Sequence, residues 1–134
     1  MEWNLDDGRP IWPQIKERLM AEIAAGRFPM GEPFPTVREL AEDAKVNRNT
    51  MQRALSELEA EGLVITNRTA GRTVTTDRDL IRSVRGRIAK EKIETLVAEM
   101  ESLGISAAEV IGIISRMKGE VPAADDKEKG ESDR

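Results

Sequence analysis

The chain has 134 residues, enough for one domain or a small domain with an appendage, so a cleft between two large lobes is not expected. Charged residues make up 34% and aromatics 3%, and there is no cysteine or histidine. Disulfides, zinc fingers, thiol nucleophiles and imidazole-based triads are therefore excluded. The formal net charge of -4 at pH 7, taken as an average, argues against a nucleic-acid partner. No apolar run approaches the ~18 residues of a membrane span, and the acidic start, Met1 to Asp7, does not resemble a secretory leader, so the expected location is the cytoplasm.

The first helical pattern follows Pro10. Ile15, Leu19 and Ile23 recur every four residues, with Trp12 and Met20 flanking, and Gly26 supplies a left-handed stop. Pro13 fits only in a first turn, which places the helix start near Ile11. Phe28 to Pro35 is turn-rich, and its Phe and Met residues are expected to plug the core. Thr36-Val37-Arg38-Glu39 is a capping box, opening a short helix with Val37, Leu40, Ala41 and Ala44 on its apolar face. Asn47 is a second N-cap soon after, with Val46 and Met51 at hydrophobic-staple spacing, and this helix runs to Glu61 before Gly62. Two capped helices across so tight a turn read as a helix-turn-helix.

Behind Gly62 the period changes to that of strands. Leu63 to Thr66 and Arg72 to Thr75 are β-branched runs around a polar turn with Gly71, a hairpin that reads as a wing. From about Asp79 the pattern is helical again. Leu80, Ile81, Val84 and Ile88 share one face, whereas Ile93, Leu96, Val97, Met100 and Leu103 share another, rotated by roughly 140°. Either the helix breaks between Gly86 and Lys92, or one long helix meets two different partners. After Gly104, Ser106 to Glu109 is another capping box, opening a helix with Val110, Ile113, Ile114 and Met117 on one side. The charged run from Asp125 to Arg134 reads as disordered, and its Asp125-Asp126 pair carries little weight as a metal site.

The second helix of the pair carries the chemistry. Met51, Ala54, Leu55 and Leu58 form its buried face, and Asn49, Gln52, Arg53 and Ser56 lie opposite, with Arg48 and Thr50 flanking the first turn. No acid stands in this outward set. Arg pairs with guanine O6 and N7 in bidentate fashion, and Asn and Gln do so with adenine N6 and N7, so the set suits base edges in a major groove. The first-turn amides add partial positive charge towards phosphate. The bland alternative is a solvated helix face. Arg38 either clamps a phosphate or pairs with Glu39, Glu42 or Asp43. Arg68 and Arg72 flank the wing tip, where they reach a groove or are ordinary hairpin charge, and Gly71 permits close approach. The basic run Arg82, Arg85, Arg87, Lys90 and Lys92 reads as a solvated face in preference to a phosphate contact.

These residues, taken in order, resemble the GntR family of winged helix-turn-helix transcription regulators. The matching stretches are Pro10 to Ile15, Gly26 to Gly31, Pro35 to Ala41, Val46 to Met51, Ala54-Leu55, Leu58, Gly62 to Val64 and the Gly71 wing. The resemblance implies homodimers on palindromic operators, with DNA contacts at Arg38, Arg48, Asn49, Thr50, Gln52 and Gly71. Asn47 stands where the family usually has Ser or Thr, and Asn49 where threonine is common. Lys45 replaces a frequent Gly, so a left-handed backbone there would be strained. The short C-terminal part resembles the YtrA-type subgroup, whose two-helix extension serves dimerisation and whose members often control neighbouring transport operons. Two such helices are too short to enclose a drug-sized pocket but can zip against their copies.

The expected fold is mainly α with a small β-hairpin: a winged helix-turn-helix domain over residues 1–78, a helical dimerisation extension over 79–118, and a disordered charged tail over 119–134. The expected function is sequence-specific binding of double-stranded operator DNA as a homodimeric repressor. Arg38, Arg48, Asn49, Thr50, Gln52, Arg53, Arg68, Gly71 and Arg72 form the DNA set, and Leu96, Val97, Met100, Leu103, Val110, Ile113 and Ile114 the dimerisation set. No cofactor, metal, membrane or enzymatic activity is expected, and the sequence does not reveal a small-molecule effector. The alternative is a winged-helix module for docking protein or structured RNA.

Overall fold

The computed structural model describes residues 1–69 and 71–119. Its elements, in order, are α1 (Ile11–Ala24), α2 (Val37–Ala44), α3 (Arg48–Ala60), β1 (Val64–Asn67), β2 (Gly71–Val74), α4 (Arg78–Ser102) and α5 (Ala107–Met117). They fall into two compact units, Met1–Ile88 and a second beginning at Ala89.

In the first unit, the apolar stripes of α1 and α3 face each other. Ile15, Leu19, Met51, Leu55 and Leu58 are fully buried, joined by Leu40 and Ala41 of α2. Both predicted caps form. Thr36 Oγ1 accepts from Glu39 N at 3.1 Å while Thr36 N donates to Glu39 Oε1 at 2.9 Å, and Asn47 Oδ1 accepts from Asn49 N at 2.7 Å. The turn between α2 and α3 passes through Lys45 at φ 59° and ψ 47°, the left-handed conformation that a β-carbon disfavours. Its amide and that of Val46 both donate to Ala41 O, closing α2 and aiming the chain into α3.

The hairpin pairs β1 with β2 in antiparallel register, Val64 opposite Val74 and Thr66 opposite Arg72. Each strand lies about one residue from its predicted place, β1 later and β2 earlier. The stretch before α2, read as turns alone, also serves as a third rung: Phe34 N donates to Arg72 O at 2.8 Å, Val74 N to Glu32 O at 2.9 Å, and Gly31 N to Val74 O at 2.9 Å. These bonds cover the outer edge of β2. Phe34 is buried and stacks obliquely on half-buried Phe28 at 4.9 Å, as core plugs should. Met30 is exposed and plugs nothing, because the φ of 79° at Gly31 turns the chain back just after it.

α4 is one continuous 25-residue helix through Gly86, which settles the choice between a broken and an unbroken helix. Leu80, Ile81, Val84 and Ile88 belong to the core of the first unit. In the second unit, the end of α4 turns at Gly104 (φ 80°), Ile105 N donates to Met100 O at 2.9 Å, and the Ser106–Glu109 capping box opens α5. Val110, expected in the dimerisation set, is buried in the protomer. Leu96, Leu103, Ile113 and Ile114 are exposed, and Val97 and Met100 are half-buried. Ile111 and Met117 extend this exposed apolar set. No helix among the described residues is long and apolar enough to cross a membrane. Of the predicted tail, residues 120–134 lie outside the described residues.

Candidate nucleic-acid interface

α3 starts at a cap that spends one first-turn amide on the Asn47 side chain and directs the helix N-terminus outward. Beside it, Arg48, Asn49 and Gln52 are exposed. Gln52 Nε2 donates to Ser56 Oγ at 3.1 Å, a contact along the outward face that a base edge can replace. Thr50 is half-buried at a shallow depression lined also by Leu5, Lys45, Val46 and Asn47, so its hydroxyl is close to the surface at the first turn. The outward face is thus assembled as the helical rotation predicted, with one modification. Arg53 lies over the Trp12 ring of α1, its guanidinium carbon 4.4 Å from the ring centroid, which fixes a flexible cation at the margin of the face.

Arg38, on the first turn of α2, pairs with Glu42 at 3.4 Å with both side chains largely in water. Such a pair contributes about 0–1 kcal/mol and leaves the guanidinium free to exchange its partner. In the wing, Arg68 is exposed, and Gly71 (φ 72°) has nothing within 4 Å of where a Cβ would stand, so its backbone is open to a close approach. Arg72 is placed differently. Strand alternation puts it on the same face as buried Val74, two residues on, and its Nη2 lies 3.6 Å from Glu59 Oε1 of α3. The structure therefore groups Arg48, Asn49, Thr50 and Gln52 on one helix end, places Arg38 and the wing tip on the neighbouring elements, and turns Arg72 inward.

Supporting residues that sequence reasoning missed hold this surface. Gln14 is buried and its Nε2 donates to Asp6 O at 2.8 Å and Pro10 O at 3.0 Å, pinning the N-terminal segment to α1. Glu22 is buried too, with Arg27 Nε at 2.8 Å and Arg18 Nη2 at 3.5 Å; its carboxyl is held below the usual range, mainly by the Arg27 hydrogen bond. Glu61, just past α3, bonds Lys16 of α1 and lies 3.3 Å from Arg87 Nη2 of α4. Lys16, more than Arg87, lowers its pKa. Of the acids in the last turns of α3, Glu59 and Glu61 are thus paired with cations, and no acid stands on the helix between Arg48 and Ser56.

A capped helix pair whose second helix carries no acid from Arg48 to Ser56, followed directly by an antiparallel hairpin, defines a winged helix-turn-helix protein. Residues 13–74 match the model described as bacterial regulatory proteins, gntR family. The HTH-type transcriptional regulator YhcF of Bacillus subtilis is 30% identical over 83% of this chain and 92% of its own. The HTH-type transcriptional repressor YtrA of the same organism is 29% identical over 84% of this chain and 87% of its own. A solved GntR family transcriptional regulator from Listeria monocytogenes has a TM-score of 0.76 and 36% identity, covering 84% of this chain and 98% of that one. The chain belongs to the GntR family, as a DNA-binding transcription regulator and not an enzyme, and it is similar to the short YtrA type.

Proposed function

We propose that the protein is a repressor that binds a palindromic operator as a homodimer, one recognition helix in each of two major-groove segments about one DNA turn, or a multiple of it, apart. The observation that carries this reading is the exposed, acid-free end of α3, where Arg48, Asn49 and Gln52 stand together. In it, these three read base edges; Arg38, Thr50, Arg53, Arg68 and the Gly71 main chain hold the backbone, and the exposed apolar residues of the second unit pair with a second copy. The winged domain over residues 1–78 and the dimerisation extension over 79–118 divide these tasks, and the protein acts on DNA in the cytoplasm. A neighbouring transport operon is the expected target. A duplex selected by the protein from genomic fragments, titrated at increasing salt, tests the reading. Each phosphate contact should steepen the log-log slope by about 0.9. A flat slope would favour docking of a protein surface instead.

A further inference from the structure

We propose that Glu59 is a positioning residue that clamps the wing onto the recognition helix, with Arg72 as its counter-ion and not a phosphate contact; this rests on the operator-binding reading above. Glu59 lies seven residues beyond Gln52, two turns along the helix and within about 20° of the same azimuth. An unpaired carboxylate there would face the phosphates flanking the groove. Thr66 and Arg72 stand opposite each other across the hairpin, on its inward side. Both engage the Glu59 carboxylate: the Thr66 hydroxyl donates to Oε2, and Arg72 Nη2 lies 3.6 Å from Oε1. The Arg72 side chain is only 20% exposed, so its guanidinium sits on the inward side of the hairpin and not in the solvent where a phosphate would stand. One carboxylate thus bridges both strands to α3 and cancels the charge of the wing's inner arginine. On the outer side, Asn67 Nδ2 donates to Thr73 Oγ1 at 2.8 Å and ties the two strands to each other. The exposed Arg68 and the Gly71 main chain are left as the wing's reach towards DNA.

The full-length protein with Glu59→Gln, with Arg72→Ala and with both is compared by two measurements. The first is amide hydrogen exchange across the hairpin, which needs no DNA. Each single variant should lose about two- to fivefold in wing protection, as for one partly exposed ion pair, and the double variant no more than the worse single one. Arg72→Lys, which keeps the charge, should recover part of the loss. The second is the salt dependence of binding to a duplex selected by the wild type: the double variant, which removes Arg72 without leaving an orphaned carboxylate, should leave the log-log slope unchanged. A slope shallower by about 0.9 would make Arg72 a phosphate contact and overturn the proposal, as would additive losses of protection. Failure of the wild type to bind any selected duplex would defeat the operator reading alone, since the exchange measurement still decides the clamp.

Discussion

Lys45 holds a left-handed backbone where the family resemblance expects Gly, and its side chain is exposed with no ion pair among the described residues. A left-handed L-residue costs about 1–2 kcal/mol, against ~0.5–1 kcal/mol for the extra unfolded-state freedom of glycine. Lys45→Gly should therefore stabilise the fold by about 0.5–1 kcal/mol, read as a higher urea midpoint at unchanged slope; a lower midpoint would contradict the strain. The need for this conformation was legible, because caps at Thr36 and Asn47 leave too few residues for any wider turn. The settings of Arg53 and Arg72 were not. Helical rotation assigns a direction to a side chain but not the partner it finds across the chain, and Trp12 and Glu59 are each remote in sequence. For Arg72 a usable signal did exist: with Val74 inward, the two-residue strand period turns Arg72 inward as well.

At the scale of elements, hydrophobic period and end signals located every helix: stripe and cap agree at α2, α3 and α5, and a glycine stop follows the stripes of α1 and α4, although the two rotated stripes of α4 left its continuity open. The third rung on β2 stayed hidden because two of the four residues from Gly31 to Phe34 are a glycine and a proline, and its pairing uses backbone groups that leave no side-chain pattern. What joins the elements is partly electrostatic. Glu61 links α1, α3 and α4 through Lys16 and Arg87, and these cations depress its pKa in the folded state. A depressed carboxylate stabilises the fold above its unfolded pKa of about 4.3, and that contribution fades as pH falls through the folded value. The stability gap between wild type and Glu61→Gln should accordingly be constant from neutral pH down to about pH 5 and shrink below it, as followed by thermal melts. A gap unchanged down to pH 3 would show that the carboxylate is not held by charge. Added salt should narrow it too, since both partners are in part exposed.

For the whole molecule, the net charge of -4 describes no surface that DNA would meet. Ala44 to Ser56 carries Lys45, Arg48 and Arg53 with no acid, while Glu59 and Glu61 are paired internally. A small positive face on an acidic body implies weak non-specific affinity and dependence on two recognition helices for tight binding. In the proposed operator complex a second copy supplies the second recognition helix, and an exposed apolar set is available for that pairing in the second unit. Leu103 is 69% exposed in the protomer, so Leu103→Glu should spare the fold while lowering the mass measured by sedimentation from dimer to monomer at micromolar concentration. A wild-type protein that sediments as a monomer would remove the pairing from the account.

In the proposed function the exposed N-terminal end of α3 reads base edges, and Arg48 is the residue best suited to do so. The most direct measurement is the affinity of Arg48→Ala for the selected duplex and for versions with each half-site base pair exchanged, beside the wild type under the same salt. Base reading by Arg48 requires a loss of about 1–3 kcal/mol together with relaxed discrimination at one base pair in each half-site. A loss below about 1 kcal/mol with discrimination intact at every position would contradict it.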